Sequence, residues 1–112
     1  MLRYKMEMNP DFIKQVSDIY DTSITYQNDV ITEWTIVNKE TNQEYIIRKY
    51  GIDYKIKNIA EKWDCLVIFD LDYITILEGY KCGKTLYAES RLKIFQTTAN
   101  LLKALIQAKK IR

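Results

Sequence analysis

Over residues 23–50 and again over 65–89, apolar side chains recur at every second position, and only short polar stretches interrupt them. "SITY" is followed by "QND", then "VITEWTIV", then "NKETNQ", then "EYIIRKY". Further on, "CLVIF" and "YITILEGY" flank "DLD", and "KCGK" leads into "TLYAE". A period of two is the mark of strands with one face buried. Each of these connections is far shorter than the dozen or more residues that a parallel crossover requires. The strands must therefore turn back on one another, and the sheet they build is mostly antiparallel.

Helical spacing governs the other segments. Asn9 is a capping residue, Pro10 suits the first helical position and Asp11 the positive end of the dipole; Phe12, Val16 and Ile19 then follow on one face. Ile52, Ile56, Ile59 and Trp63 fall at spacings of four, three and four, with Asp53 as an N-cap, which predicts a short second helix. The final segment opens at Ser90, and Leu92, Phe95, Ala99, Leu102 and Ile106 form a packing seam that Ile94, Leu101 and Leu105 widen. Residues 2–8 alternate loosely, in the manner of a short strand. The expected fold is α+β: a mostly antiparallel sheet of about five or six strands with helices packed on one face, in the order α-β-β-β-α-β-β-β-α.

At 112 residues, 47% of them hydrophobic, the chain has the size and apolar content of a single globular domain over residues 1–112. The longest uninterrupted apolar run, Cys65–Phe69, is far too short to span a membrane. "MLRYKMEMNP" has no signal-peptide core, so a cytoplasmic location is expected, with Cys65 and Cys82 as free thiols. Abundant Ile, Lys, Asn and Tyr fit an AT-rich bacterial or phage genome.

Two stretches approach phosphate chemistry. "VIFDLD" resembles the opening of haloacid dehalogenase-type phosphohydrolases, in which the first aspartate attacks phosphorus and the second serves as acid and base. Asp70 and Asp72 match, but Tyr73 and Ile74 stand where that family has Gly and Thr, and too little chain follows for its parallel sheet. Both aspartates therefore read as turn residues, whose side chains bond the local backbone. In "GYKCGKT" the interval between the glycines is one residue short of a phosphate-binding loop, and Glu78 occupies the place of the first glycine.

The chain contains no histidine. That removes the usual base of Ser-His-Asp and Cys-His catalysis, and two cysteines alone do not complete a four-ligand zinc site. No catalytic residue, metal site or cofactor is assigned, and the expected role is non-enzymatic: a small protein-binding module acting as a regulator, inhibitor or assembly accessory.

Two groups of residues are candidates for contact. Tyr45, Tyr50, Tyr73, Tyr80 and Tyr87 lie in strands and supply large rigid anchors for a protein partner. Residues 90–112 hold six basic side chains and no acidic one, leaving eleven basic and fifteen acidic in residues 1–89. The basic patch Lys93, Lys103, Lys109, Lys110 and Arg112 supports the alternative, a nucleic-acid-binding module using the last helix. Lys109, Lys110 and Arg112, placed in the last helical turn, also complement the helix dipole. The breadth of this helix's apolar arc makes a homodimer the expectation over a monomer.

Overall fold

The computed structural model describes residues 2–6, 8–70, 72–85 and 92–111. They form strand β1 (Leu2–Lys5), helix α1 (Pro10–Ile19), strands β2 (Tyr20–Gln27), β3 (Ile31–Asn38), β4 (Glu44–Tyr50), β5 (Asp53–Asn58), β6 (Trp63–Asp70), β7 (Tyr73–Lys81) and β8 (Lys84–Thr85), and helix α2 (Leu92–Gln107). All eight strands belong to one antiparallel sheet, ordered β1-β7-β6-β5-β4-β3-β2, with β8 paired to the far end of β7. The run from β2 to β7 is a meander in which every strand pairs with the next. Helix α1 carries the chain from β1 at one edge to β2 at the other.

Register divides the side chains cleanly between two faces. Trp34, Ile47, Ile56 and Cys65 stand directly opposite one another across four strands. Ile36, Tyr45, Asn58 and Trp63 form the next row on the same face. All eight are buried. Both helices contribute to this core, α1 through Val16 and α2 through Ala99, Leu101, Leu102, Ala104 and Leu105. The α+β class and the placement of the helices on one face agree with the sequence pattern.

The central helix expected over 52–63 is instead strand β5 and its flanking turns. Gly51 adopts a φ of +58° between Tyr50 and Asp53, which are paired, so it occupies the first central position of a two-residue hairpin turn that favours glycine. Tyr54, Ile56 and Asn58 then point inward while Lys55 and Lys57 point out. Ile52 and Ile59, which supply half of the helical spacing, are 71% and 49% exposed in turns. The described residues thus contain two helices and eight strands, in place of three helices and five or six strands.

Helix α1 begins as expected: the Phe12 amide donates to Asn9 Oδ1 at 2.8 Å, and Pro10 follows the cap. Helix α2 stops earlier than expected. Lys109 has a φ of +61°, and its amide donates to the Ile106 carbonyl while the Lys110 amide reaches back to Leu105. This is a Schellman closure with lysine in the left-handed position where glycine is usual. Lys109 and Lys110 therefore lie beyond the last helical turn, which contains no basic residue, and Arg112 lies outside the described residues. Ile111 folds back into the core at 1% exposure.

The wide apolar arc of α2 has its explanation within the protomer. Ala99, Leu102 and Leu105 belong to the core cluster with the sheet, and α1 packs alongside α2. Leu102 and Leu105 are fully buried and Ile106 only partly so; the Phe95 side chain lies outside the described residues. Leu102→Ala leaves a cavity in this core and is expected to cost about 2–5 kcal/mol in urea unfolding. A loss within experimental error would mean that α2 does not seal the sheet.

Candidate functional site

The five strand tyrosines do not share one surface. Tyr45 points inward, where its ring meets that of Trp63 at 6.2 Å between centroids and its hydroxyl donates to Gln43 Oε1 at 3.1 Å. Burial first, then the neighbouring Tyr20 and Glu61, push its phenol above the usual tyrosine range. It is a core residue, and its place among the contact residues is corrected. Tyr87 lies outside the described residues.

Tyr50, Tyr73 and Tyr80 all stand on the opposite, outer face. Tyr50 follows the pleat phase of Arg48, whose Nη1 donates to its hydroxyl at 3.4 Å. Tyr73 and Tyr80 are seven residues apart, an odd interval that would place them on opposite faces of a regular strand. The register shifts between Leu66 and Val67, however, so that Leu66 pairs with Glu78 and Val67 with Ile76. The extra residue, Leu77, restores both tyrosines to one face. Arg3 covers the Tyr73 ring at 3.9 Å, and the Tyr80 hydroxyl donates to Glu78 Oε2 at 3.2 Å.

Three apolar residues join them that sequence reasoning missed: Ile46, Leu66 and Ile68, each partly exposed on the outer face. A signal was present. "YII" in β4 and "CLVIF" in β6 are apolar in both pleat phases, whereas an antiparallel strand with one wet face normally alternates. Leu66 and Ile68 stand beside Tyr73 and Tyr80 on one side of the surface, and Ile46 and Tyr50 on the other. The outward Asp53, Lys55 and Lys57 of β5 form a charged row between the two groups, with Asp64 and Glu78 at one end. Across β3 and β4, Arg48 is ion-paired with Glu33 and lines a shallow cleft with Ile46, Tyr50, Lys55 and Lys57.

The basic segment is more scattered. Lys103 sits over the Phe69 ring at 5.4 Å from its centroid, on the helix side of the sheet. Lys109 is exposed. Lys110 lines an open cleft of about 530 Å³ with Thr22, Ile24, Gln27, Thr32 and Trp34, and its carbonyl accepts from Thr22 Oγ1 at 3.3 Å. The side chains of Lys93 and Arg112 lie outside the described residues.

Asp70 and Asp72 flank the β6–β7 hairpin and are exposed, and the Asp72 carbonyl accepts from the Met6 amide at 2.7 Å. Cys82 and Gly83, both at positive φ, make the two-residue turn between Lys81 and Lys84, in keeping with the shortened glycine interval. Among the described residues, no three Cys, Asp or Glu side chains gather in a group fit to hold a metal ion. No described helix is long and apolar enough to cross a membrane. No family model matches the chain, and no curated protein or solved structure shows significant similarity to it. The case for function rests on the surface itself.

The cysteines offer a direct check on the buried inner face. Cys65 is buried, and desolvation, reinforced by the adjacent Asp64 carboxylate, pushes its thiol far above the usual range, whereas Cys82 is exposed. A thiol reagent at neutral pH should therefore modify one cysteine per native chain and two in denaturant. The unfolded thiol ionises near pH ~8.5 while the folded one stays protonated, so stability is fully present below that pH and falls above it by about 1.4 kcal/mol per unit. Cys82→Ser should keep that slope. Cys65→Ala should flatten it, whatever it costs in packing.

Proposed function

We propose that this protein is a non-catalytic protein-binding module that recognises its partner through the outer face of the sheet. The observation that carries this reading is an asymmetry of covering. Both helices lie against the inner face, and no described element covers the outer one, although Ile46, Tyr50, Leu66, Ile68, Tyr73 and Tyr80 stand on it. Two apolar groups, Ile46 with Tyr50 and Leu66 and Ile68 with Tyr73 and Tyr80, flank the charged row Asp53, Lys55 and Lys57. An uncovered face that mixes aromatic, aliphatic and charged area in this way suits a protein–protein contact. Tyrosine on a rigid strand supplies area at low entropic cost, which favours it as an anchor. The absence of histidine supports binding over catalysis. A regulator, inhibitor or assembly accessory uses a surface of this kind.

Nucleic-acid recognition by the C-terminal segment has less support. Of its three lysines with described side chains, Lys103 rests over Phe69 and Lys110 stands in the cleft beside Thr22, which leaves Lys109 as the one exposed.

Ile46→Glu combined with Ile68→Lys tests the reading without threatening the fold. Ile46 faces Lys57 and Ile68 faces Asp53 across the ladder, so each new charge meets an opposite one. Affinity capture from an extract of the source cell should recover a partner with the wild-type chain, and the double variant should bind it at least about tenfold more weakly, a loss of some 1.4 kcal/mol, at unchanged melting temperature. Undiminished binding by a folded double variant would move the interface elsewhere, and capture of nucleic acid alone would favour the basic segment.

A further inference from the structure

The sheet ends differently at its two edges. β1 is four residues long and carries Arg3 and Lys5, the brevity and positive charge that keep an edge strand from pairing. β2 is eight residues long, pairs among the described strands with β3 alone, and carries Asp21 as its one charged side chain. Ile24 is 60% exposed on this strand, and Tyr26 and Val30 are exposed beside it. The protection β2 has is a bulge between Ile24 and Tyr26, where the register with β3 shifts. Residues 20–24 ahead of the bulge remain regular; the Tyr20 amide is held by the Val16 carbonyl of α1, and no described strand takes up the remaining backbone donors and acceptors along their outer edge.

We propose that this edge pairs with the same edge of a second copy, antiparallel about a two-fold axis at Thr22, joining two sheets into one. The sequence of the segment argues for a copy as its occupant. Centred on Thr22, the register sets Tyr20 opposite Ile24 of the other chain, twice by symmetry. Both residues lie on the inner face, given their partners Asn38 and Trp34. Aromatic against β-branched is among the favourable cross-strand pairs, and it covers the exposed Ile24. Thr22 meets Thr22 on the axis, each hydroxyl kept on its own Lys110 carbonyl and the methyl groups in contact, and Asp21 meets Ser23, whose hydroxyl can donate to the carboxylate. No like charges face one another in the ladder. The same operation on β1 would set its basic residues against each other. The bulge at Thr25 ends the pairing, which keeps the contact short and closed. This inference is independent of the outer-face reading, because it uses a strand edge and leaves the outer face open in both copies.

Sedimentation of the full chain from low micromolar to millimolar concentration should show a monomer–dimer equilibrium. Ile24→Lys should raise its dissociation constant roughly tenfold or more while leaving circular dichroism and melting temperature unchanged, since Ile24 is exposed in the protomer. In a Cys82→Ser background, Thr22→Cys should give a disulfide-linked dimer on mild oxidation, and Thr25→Cys should not. A monomer throughout the range, a dimer indifferent to Ile24→Lys, mass growth beyond the dimer, or crosslinking through position 25 in place of 22 would each overturn the proposal.

Discussion

Trp34, Ile47, Ile56 and Cys65 meet across four neighbouring strands, and the layer they form against Leu102 and Leu105 is what holds the meander in one register. A slip of one residue in any of these strands would exchange its inner and outer side chains, removing Ile56 or Cys65 from the core and bringing Lys55, Lys57 or Asp64 into it. Burying charge without a partner costs far more than any contact the slip could gain. The position of every outer residue is therefore a consequence of inner packing. Tyr50, Leu66 and Ile68 share a surface because Ile47, Cys65 and Val67 share a core.

Much of this is legible in the sequence. The hairpins at 70–73 and 81–84, the cap at Asn9 and the Ala99 and Leu102 positions of the last helix's seam all follow from local chemistry, and they appear where expected. The two near-matches to phosphate motifs are ordinary turns in the structure. The misleading segment is 52–63, where two patterns overlap. Ile52, Ile56, Ile59 and Trp63 have helical spacing, yet "DYKIKN" alternates as well. The alternation is masked because its third inward residue is Asn58, a polar side chain in a fully buried position. Asn58 sits there because its Oδ1 accepts from the Glu61 amide at 3.0 Å and closes the turn into β6. A polar residue that closes a turn from a buried position breaks the apolar pattern.

The contact surface is legible only in part, for a related reason. Grouping tyrosines by type ignores pleat phase: Tyr45 and Tyr50 are five residues apart, and one regular strand cannot show both on one face. Tyr73 and Tyr80 present the converse case, in which a bulge unites residues that parity would divide. Bulges follow from pairing with a second strand, and the one mark of this bulge in the sequence is Gly79, an isolated glycine inside β7. The breadth of the α2 arc does mean two neighbours, but the second neighbour is α1, so the argument for association moves from the helix to the edge at β2, which no second described strand covers.

The strand assigned to residues 53–58 decides the sheet order, the division of faces and hence the surface. Backbone nuclear Overhauser effects over residues 45–63 test it most directly. Cross-strand contacts linking Ile47 with Ile56 and Lys49 with Tyr54, with strong sequential amide-to-preceding-α-proton contacts through 53–58, are predicted. Medium-range contacts between residues three and four apart through 53–63, with no contacts to β4, would restore a helix there and contradict the architecture.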